Sequence, residues 1–219
     1  MLKSEEMPPE SFASMTAGAQ VLGRDKYGIK VFLLQNGQIL KIYRVKRVFS
    51  SARIYSYARF FCRNAARLQK LGIRTVSIEK LLHFSDSSNT AVLYQPLAGQ
   101  TLWDLLEAGK MDDQLIKRLG EYVARLHRMG IYFRSLHLGN VVLTEDGQLG
   151  LIDVSDMSIF PWALNNWQRL RNFRLFAKRD QGIKALTEKQ QRVFLASYFS
   201  AASLSTNAKV AVKIAEAIR

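Results

Sequence analysis

Acidic side chains are missing from one long stretch of this sequence. Between Arg44 and Ile78 there is no Asp or Glu, yet nine cations lie in or at the edge of that stretch: Arg44, Lys46, Arg47, Arg53, Arg59, Arg63, Arg67, Lys70 and Arg74. Over the whole chain 32 Lys and Arg stand against 18 Asp and Glu, a net charge of +14. An excess of that size implies an anionic partner, whether nucleotide, phosphorylated glycolipid, anionic membrane surface or nucleic acid. With a single cysteine, Cys62, no internal disulfide can form, which fits a reducing compartment. No apolar run reaches the roughly 18 residues of a transmembrane helix. The first ten residues hold acids and prolines where a secretory signal carries an apolar core. These absences predict a cytoplasmic protein.

What is present concentrates in residues 133–156. After Phe133-Arg134-Ser135 comes Leu136-His137-Leu138-Gly139-Asn140, and two short apolar runs, Val141-Val142-Leu143 and Leu149-Gly150-Leu151-Ile152, flank a turn centred on Asp146-Gly147. A hairpin of that length brings its two ends together. Asn140 offers a carbonyl oxygen and Asp153 a carboxylate, both hard ligands suited to Mg²⁺, so the two should converge on one ion. The plainer reading makes Asn140 a loop end and Asp153 a surface acid. It is the weaker one, because Asp153 follows a four-residue apolar run.

These residues carry a resemblance. Leu136-His137-Leu138-Gly139-Asn140 and Ile152-Asp153-Val154-Ser155-Asp156 resemble the catalytic and metal-binding loops of the protein-kinase-like superfamily in its small bacterial branches. Among those branches are the lipopolysaccharide-core kinases, which phosphorylate Kdo or heptose, and the relatives called toluene-tolerance proteins. The resemblance implies an α+β, two-lobed kinase-like fold, with a small antiparallel-sheet N-lobe over residues 1–97 and a compact helical C-lobe over 98–219. It implies ATP and Mg²⁺ as cofactors, with Asn140 and Asp153 as the metal ligands.

Further positions follow from the resemblance. Lys41, inside the apolar strand Ile39–Tyr43, falls where such kinases hold the α- and β-phosphates. Gly23 and Gly28 bracket the segment matching the glycine-rich loop, without its full Gly-x-Gly-x-x-Gly. Gln95 and Leu97 fall where backbone groups meet the adenine edge. Two departures stand out. Ser135 occupies the position of the catalytic Asp, and a serine hydroxyl is no base near neutral pH without activation. In the helix expected over 51–71, Asn64 occupies the position of the glutamate that clamps the strand lysine. His137 lies near the transferred phosphate in this alignment, where it would organise the loop. No Ala-Pro-Glu follows Asp153, which shifts the expected acceptor from protein to a small or lipid-linked molecule.

The reading is a possible ATP-dependent phosphotransferase lacking the usual catalytic Asp, acting on lipopolysaccharide core or another anionic glycolipid, peripheral on the inner face of the inner membrane. One alternative is a catalytically impaired pseudokinase that regulates an envelope-biogenesis enzyme. A basic nucleic-acid-binding protein is the other, and it leaves the Asn140 and Asp153 pattern without a purpose. Elsewhere, residues 1–16 are expected as a loose or partly helical lead, Thr101 as a helix start, and Asp112 to Arg128 as a core-facing helix with His127 in a structural role.

Overall fold

Alternating apolar positions build the first half of the molecule. The computed structural model describes residues 3–44, 57–202 and 208–218, and these fall into two units, Met1–Leu97 and Ala98–Arg219. The first holds β1 (Ser4–Met7), α1 (Pro9–Thr16), β2 (Gln20–Asp25), β3 (Gly28–Leu33), β4 (Ile39–Tyr43), α2 (Tyr57–Lys70), β5 (Arg74–Thr75), β6 (Ser77–Phe84) and β7 (Thr90–Gln95). Six of the strands form one sheet in the order β1-β6-β7-β4-β3-β2. Every pairing is antiparallel except β1 with β6. The lead expected to be loose or partly helical holds the helix α1, and ahead of it a strand that the expectation did not include. Met7 at the end of β1 is 2% exposed and joins the core, and Phe12 of α1 stands edge-on to Phe32 and Phe84. A run of four residues was too short for periodicity to reveal.

Strand alternation assigns the two faces of this sheet. Leu40 and Ile42 of β4, with Ala91 and Leu93 of β7, pack into the core on the α1 side. The intervening positions look toward α2: Phe61 of that helix lies 6.1 Å from the Tyr43 ring and 5.2 Å from the Tyr94 ring. The start of the helix expected at 51 lies outside the described residues.

The second unit opens with β8 (Gln100–Thr101) and α3 (Leu102–Glu107), where Thr101 and Asp104 form a reciprocal capping box. Then follow α4 (Asp113–Arg128), β9 (Ile131–Phe133), β10 (Val141–Leu143), β11 (Leu149–Leu151), β12 (Met157–Ile159), α5 (Asn166–Ala177), α6 (Glu188–Ala201) and α7 (Ala208–Ile218). Asp112 caps α4 by accepting from the Leu115 amide. Gly120 lets α4 and α6 approach closely, since a methyl group there would stand 2.5 Å from the Phe194 carbonyl oxygen. Among the described residues no helix is long and apolar enough to cross a membrane.

A buried polar relay ties these helices to the loop after β9. Arg169 donates to the Tyr198 hydroxyl (3.3 Å), and that hydroxyl lies 2.8 Å from His127 Nδ1. On the other side of the ring, His127 Nε2 lies 3.0 Å from Asn172 Oδ1, and Asn172 Nδ2 donates to the Phe133 carbonyl (2.7 Å). Because Asn172 presents its oxygen to the ring, Nε2 carries the proton and Nδ1 accepts from Tyr198. His127 is thus neutral, and burial holds its pKa down at about 3, against an ordinary 6.5.

That neutrality predicts an acid sensitivity. The unfolded chain protonates His127 below 6.5 while the folded chain does not until about 3, so this contribution is complete above 6.5 and is lost as pH falls toward 3. By about pH 5 the loss is about 2 kcal/mol. Urea midpoints at neutral and mildly acid pH should show it, and His127→Gln, which cannot protonate, should flatten the difference. A wild type and a variant that fall in parallel would place the cause elsewhere.

Candidate functional site

The hairpin from β10 to β11 closes in the register Val141 to Leu151 and Leu143 to Leu149, and one further bond, Ile152 N–H to the Asn140 carbonyl (3.1 Å), extends it to its open end. Asn140 and Asp153 therefore leave the hairpin side by side. Asn140 is 7% exposed and its amide nitrogen donates to the Ser135 carbonyl (2.8 Å), which turns its own side-chain oxygen to the other side. Asp153 is exposed and sits in the left-handed backbone region at φ 51°, the one non-glycine residue with positive φ among those described. Asp tolerates that conformation better than most residues, but it still costs on the order of 1 kcal/mol, and such outliers gather where a side chain must be aimed.

Two oxygen donors at a hairpin mouth suit Mg²⁺, which keeps waters and substrate phosphates as its remaining ligands. Among the described residues no group of three His, Cys, Asp or Glu side chains makes an all-protein cage.

Ser135 has a carboxylate beside it that the sequence reading gave no role. β12 runs antiparallel to β9 with Met157 opposite Phe133, and the Arg134 amide bonds the Asp156 carbonyl (3.2 Å). This places the Asp156 side chain at the loop: Ser135 Oγ donates to its Oδ2 at 3.3 Å, and Arg134 pairs with its Oδ1 at 3.3 Å. Cross-strand pairing created the contact, and only its last residue, three beyond Asp153, was visible in the sequence.

His137 sits inside the loop. Its ring stands against Gly139, where a methyl group would lie 3.2 Å from Cε1, and its Nδ1 is buried and makes no hydrogen bond among the described residues. Burial is the main cause that pulls its pKa below the ordinary value; Arg179 adds to this and Asp153 opposes it. The ring is therefore mainly neutral at pH 7. Residues 179–182 brace this loop from behind, with the Gln181 carbonyl accepting from the Leu138 amide (2.8 Å).

In the first unit Lys41 is 8% exposed. Its ammonium lies 5.7 Å from the ring centroids of both Tyr43 and Phe61. Asn64, one turn beyond Phe61 on α2, is 1% exposed, so this amide lies on the helix face that packs on the sheet. Gly23 and Gly28 both lie in the hairpin of β2 and β3. Asp25 pairs with Gly28 in a tight hairpin whose tip is Lys26 and Tyr27, tied down by the 2.8 Å Arg44 to Asp25 ion pair. Gly28 needs its glycine, at φ 118°, whereas Gly23 lies at a register shift and a methyl group there would meet only Val31 at 3.5 Å. Gln95 is exposed at the end of β7, and Leu97 is half-buried two residues beyond.

Gly23→Ala separates structure from binding. It should leave the melting temperature unchanged and weaken ATP severalfold in a calorimetric titration, if backbone at Gly23 approaches phosphate. Unchanged affinity would leave Gly23 a role in the β-bulge alone.

A mostly antiparallel sheet with a helix packed over its central lysine, then a helical unit carrying the Ser135–Asn140 loop and a hairpin that ends at Asp153, makes this a protein-kinase-like fold. Curated sequences agree with that class. The chain is 28% identical over 159 residues to the hormonally up-regulated neu tumor-associated kinase of Mus musculus, and 27% identical over 159 residues to that of Homo sapiens. Each alignment takes in 70% of this chain and 20% of the relative, so the chain spans about a fifth of the length of the curated relatives it matches. Among solved structures, the bifunctional kinase-methyltransferase WbdD superposes with a TM-score of 0.47 at 18% identity, over 86% of this chain and 46% of that one. No family model matches the sequence.

Proposed function

We propose that this chain binds Mg²⁺-ATP and transfers phosphate to a core sugar of lipopolysaccharide. The observation that carries the proposal is the backbone bond from Ile152 to Asn140, which sets Asn140 and Asp153 at the same end of the hairpin, together with the left-handed backbone of Asp153. When bound, the metal neutralises phosphate charge and fixes the transferred group. Asn140 and Asp153 would hold it by their oxygens. Lys41 would meet the phosphates, and Gln95 and Leu97 the adenine edge.

The acceptor hydroxyl has a proton to lose, and Ser135 is no base. In this reading Asp156 Oδ2 takes the proton, Ser135 orients that carboxylate through its hydroxyl, and Arg134 holds the other oxygen. Only residues 160–165 lie between β12 and α5, a link too short for a peptide-docking segment. That favours a small or lipid-linked acceptor, and the net charge of +14 favours an anionic one.

The test is twofold: calorimetry of ATP with and without Mg²⁺, then transfer of labelled γ-phosphate to purified lipopolysaccharide core. Binding together with transfer is expected. Binding without transfer would favour the regulatory pseudokinase, a reading that gains support from Asn64 and Ser135 standing where acids are expected. Absence of binding would sink both.

A further inference from the structure

The basic face of α2 belongs to none of the chemistry above. It borders a cavity of about 460 Å³ between α2 and β6, within the first unit. Phe60 and Ala66 of the helix, with Ile78 and Leu81 of β6, give this cavity apolar walls. Arg59, Arg63, Arg67 and Lys70 edge it, spaced so that they form one stripe along the helix. No acid occurs in the sequence from Val45 to Ile78, so the helix itself contributes only positive charge to this rim. Arg63 spans the two characters of the site, its guanidinium lying 4.8 Å over the Phe60 ring.

An apolar chamber rimmed by cations on one side selects an amphiphile with an anionic head. A soluble anion would leave the apolar walls wet, and a neutral chain would gain nothing from the positive charge of Arg63 and Lys70. We infer that this cavity binds an anionic phospholipid, with the phosphate at Arg63 and Lys70 and the start of the acyl chain against Ala66, Ile78 and Leu81, and that it thereby seats α2 on an anionic membrane. The inference stands apart from the kinase reading and needs neither nucleotide nor metal.

Surface attraction and cavity binding make different predictions, and Cys62 distinguishes them. It is the chain's single cysteine and lines the cavity, so its alkylation reports occupancy of this site alone. Burial pushes its thiol up to about 11, so labelling with N-ethylmaleimide is slow and is followed at mildly alkaline pH.

The experiment uses the full chain with vesicles of phosphatidylcholine alone, or mixed in equal parts with phosphatidylglycerol. The mixed vesicles should bind the protein and slow Cys62 labelling, and the neutral ones should do neither. Arg63→Gln with Lys70→Gln should weaken partition about thirtyfold, at roughly 1 kcal/mol per basic residue near a membrane. Ala66→Phe, which puts a ring into the chamber where the acyl chain would start and keeps every charge, should lose the salt-resistant part of binding. Circular dichroism checks that both variants fold. Four results would overturn the inference: no vesicle binding by the wild type, binding without protection of Cys62, binding unmoved by Ala66→Phe, or equal protection by glycerol phosphate or poly-glutamate.

Discussion

Replacing Asp153 with asparagine is expected to abolish Mg²⁺-dependent ATP binding while the protein stays folded. Asparagine is the informative choice because it tolerates the left-handed backbone found at this position, φ 51° and ψ 46°, whereas alanine would add strain of its own. What the substitution removes is the carboxylate charge. An amide is a far poorer partner for a divalent ion that must be held against its hydration shell, so the Mg²⁺-dependent gain in ATP affinity should fall by at least about a hundredfold. Titrations without Mg²⁺ should be the same for both proteins. Wild-type and variant affinities that agree in the presence of Mg²⁺ would mean Asp153 holds no metal, and the proposed function would lose its foundation.

Asp156→Asn is expected to slow transfer by about 10²–10⁴-fold, the range over which a positioned base contributes, with ATP affinity unchanged. The reason is geometric: the carboxylate lies 3.3 Å from the Oγ of Ser135, the residue that stands at the base position in the kinase resemblance. Adding an acid at Ser135 does not simply restore the usual arrangement. Ser135→Asp would set a second carboxylate against Asp156, and two like charges that close oppose each other's ionisation. Exchanging the two, Ser135→Asp with Asp156→Ser, removes that conflict and should recover activity lost in Asp156→Asn. Single-turnover transfer rates on lipopolysaccharide core, set beside ATP titrations, separate the cases. Full activity in Asp156→Asn would exclude it as the base.

The parts of the fold that reading from sequence reached are those set by local pattern. Asp146-Gly147 between apolar runs announced the hairpin, Thr101 the capped helix start, and the stripe from Leu115 to Leu126 the long helix, all of which the structure contains. β1 escaped notice because its identity is decided by its parallel partner β6, not by its own four residues. In the candidate site, the placement of Asn140 and Asp153 at the two ends of one hairpin was legible in the sequence. Asp156 was not, since its contact with Ser135 depends on β9 pairing with β12 across more than twenty residues. The relay through Tyr198, His127 and Asn172 was equally hidden: three helices supply its members, and only His127 invited a structural reading.

The short link across residues 160–165 bears on how such a protein is governed. Many kinases are switched by a long segment at this place, which a new charge orders or releases. Here the chain leaves β12 and starts the capping box of α5 at Asn165, with the Phe160 amide bonded to the Gly130 carbonyl and the Leu164 amide to that of His127. Six residues pinned at both ends leave no slack for an inserted or withdrawn flap. If the proposed transfer takes place, a link this short gives it no built-in switch at this point, and its pace would follow how much protein is made and how quickly the acceptor arrives.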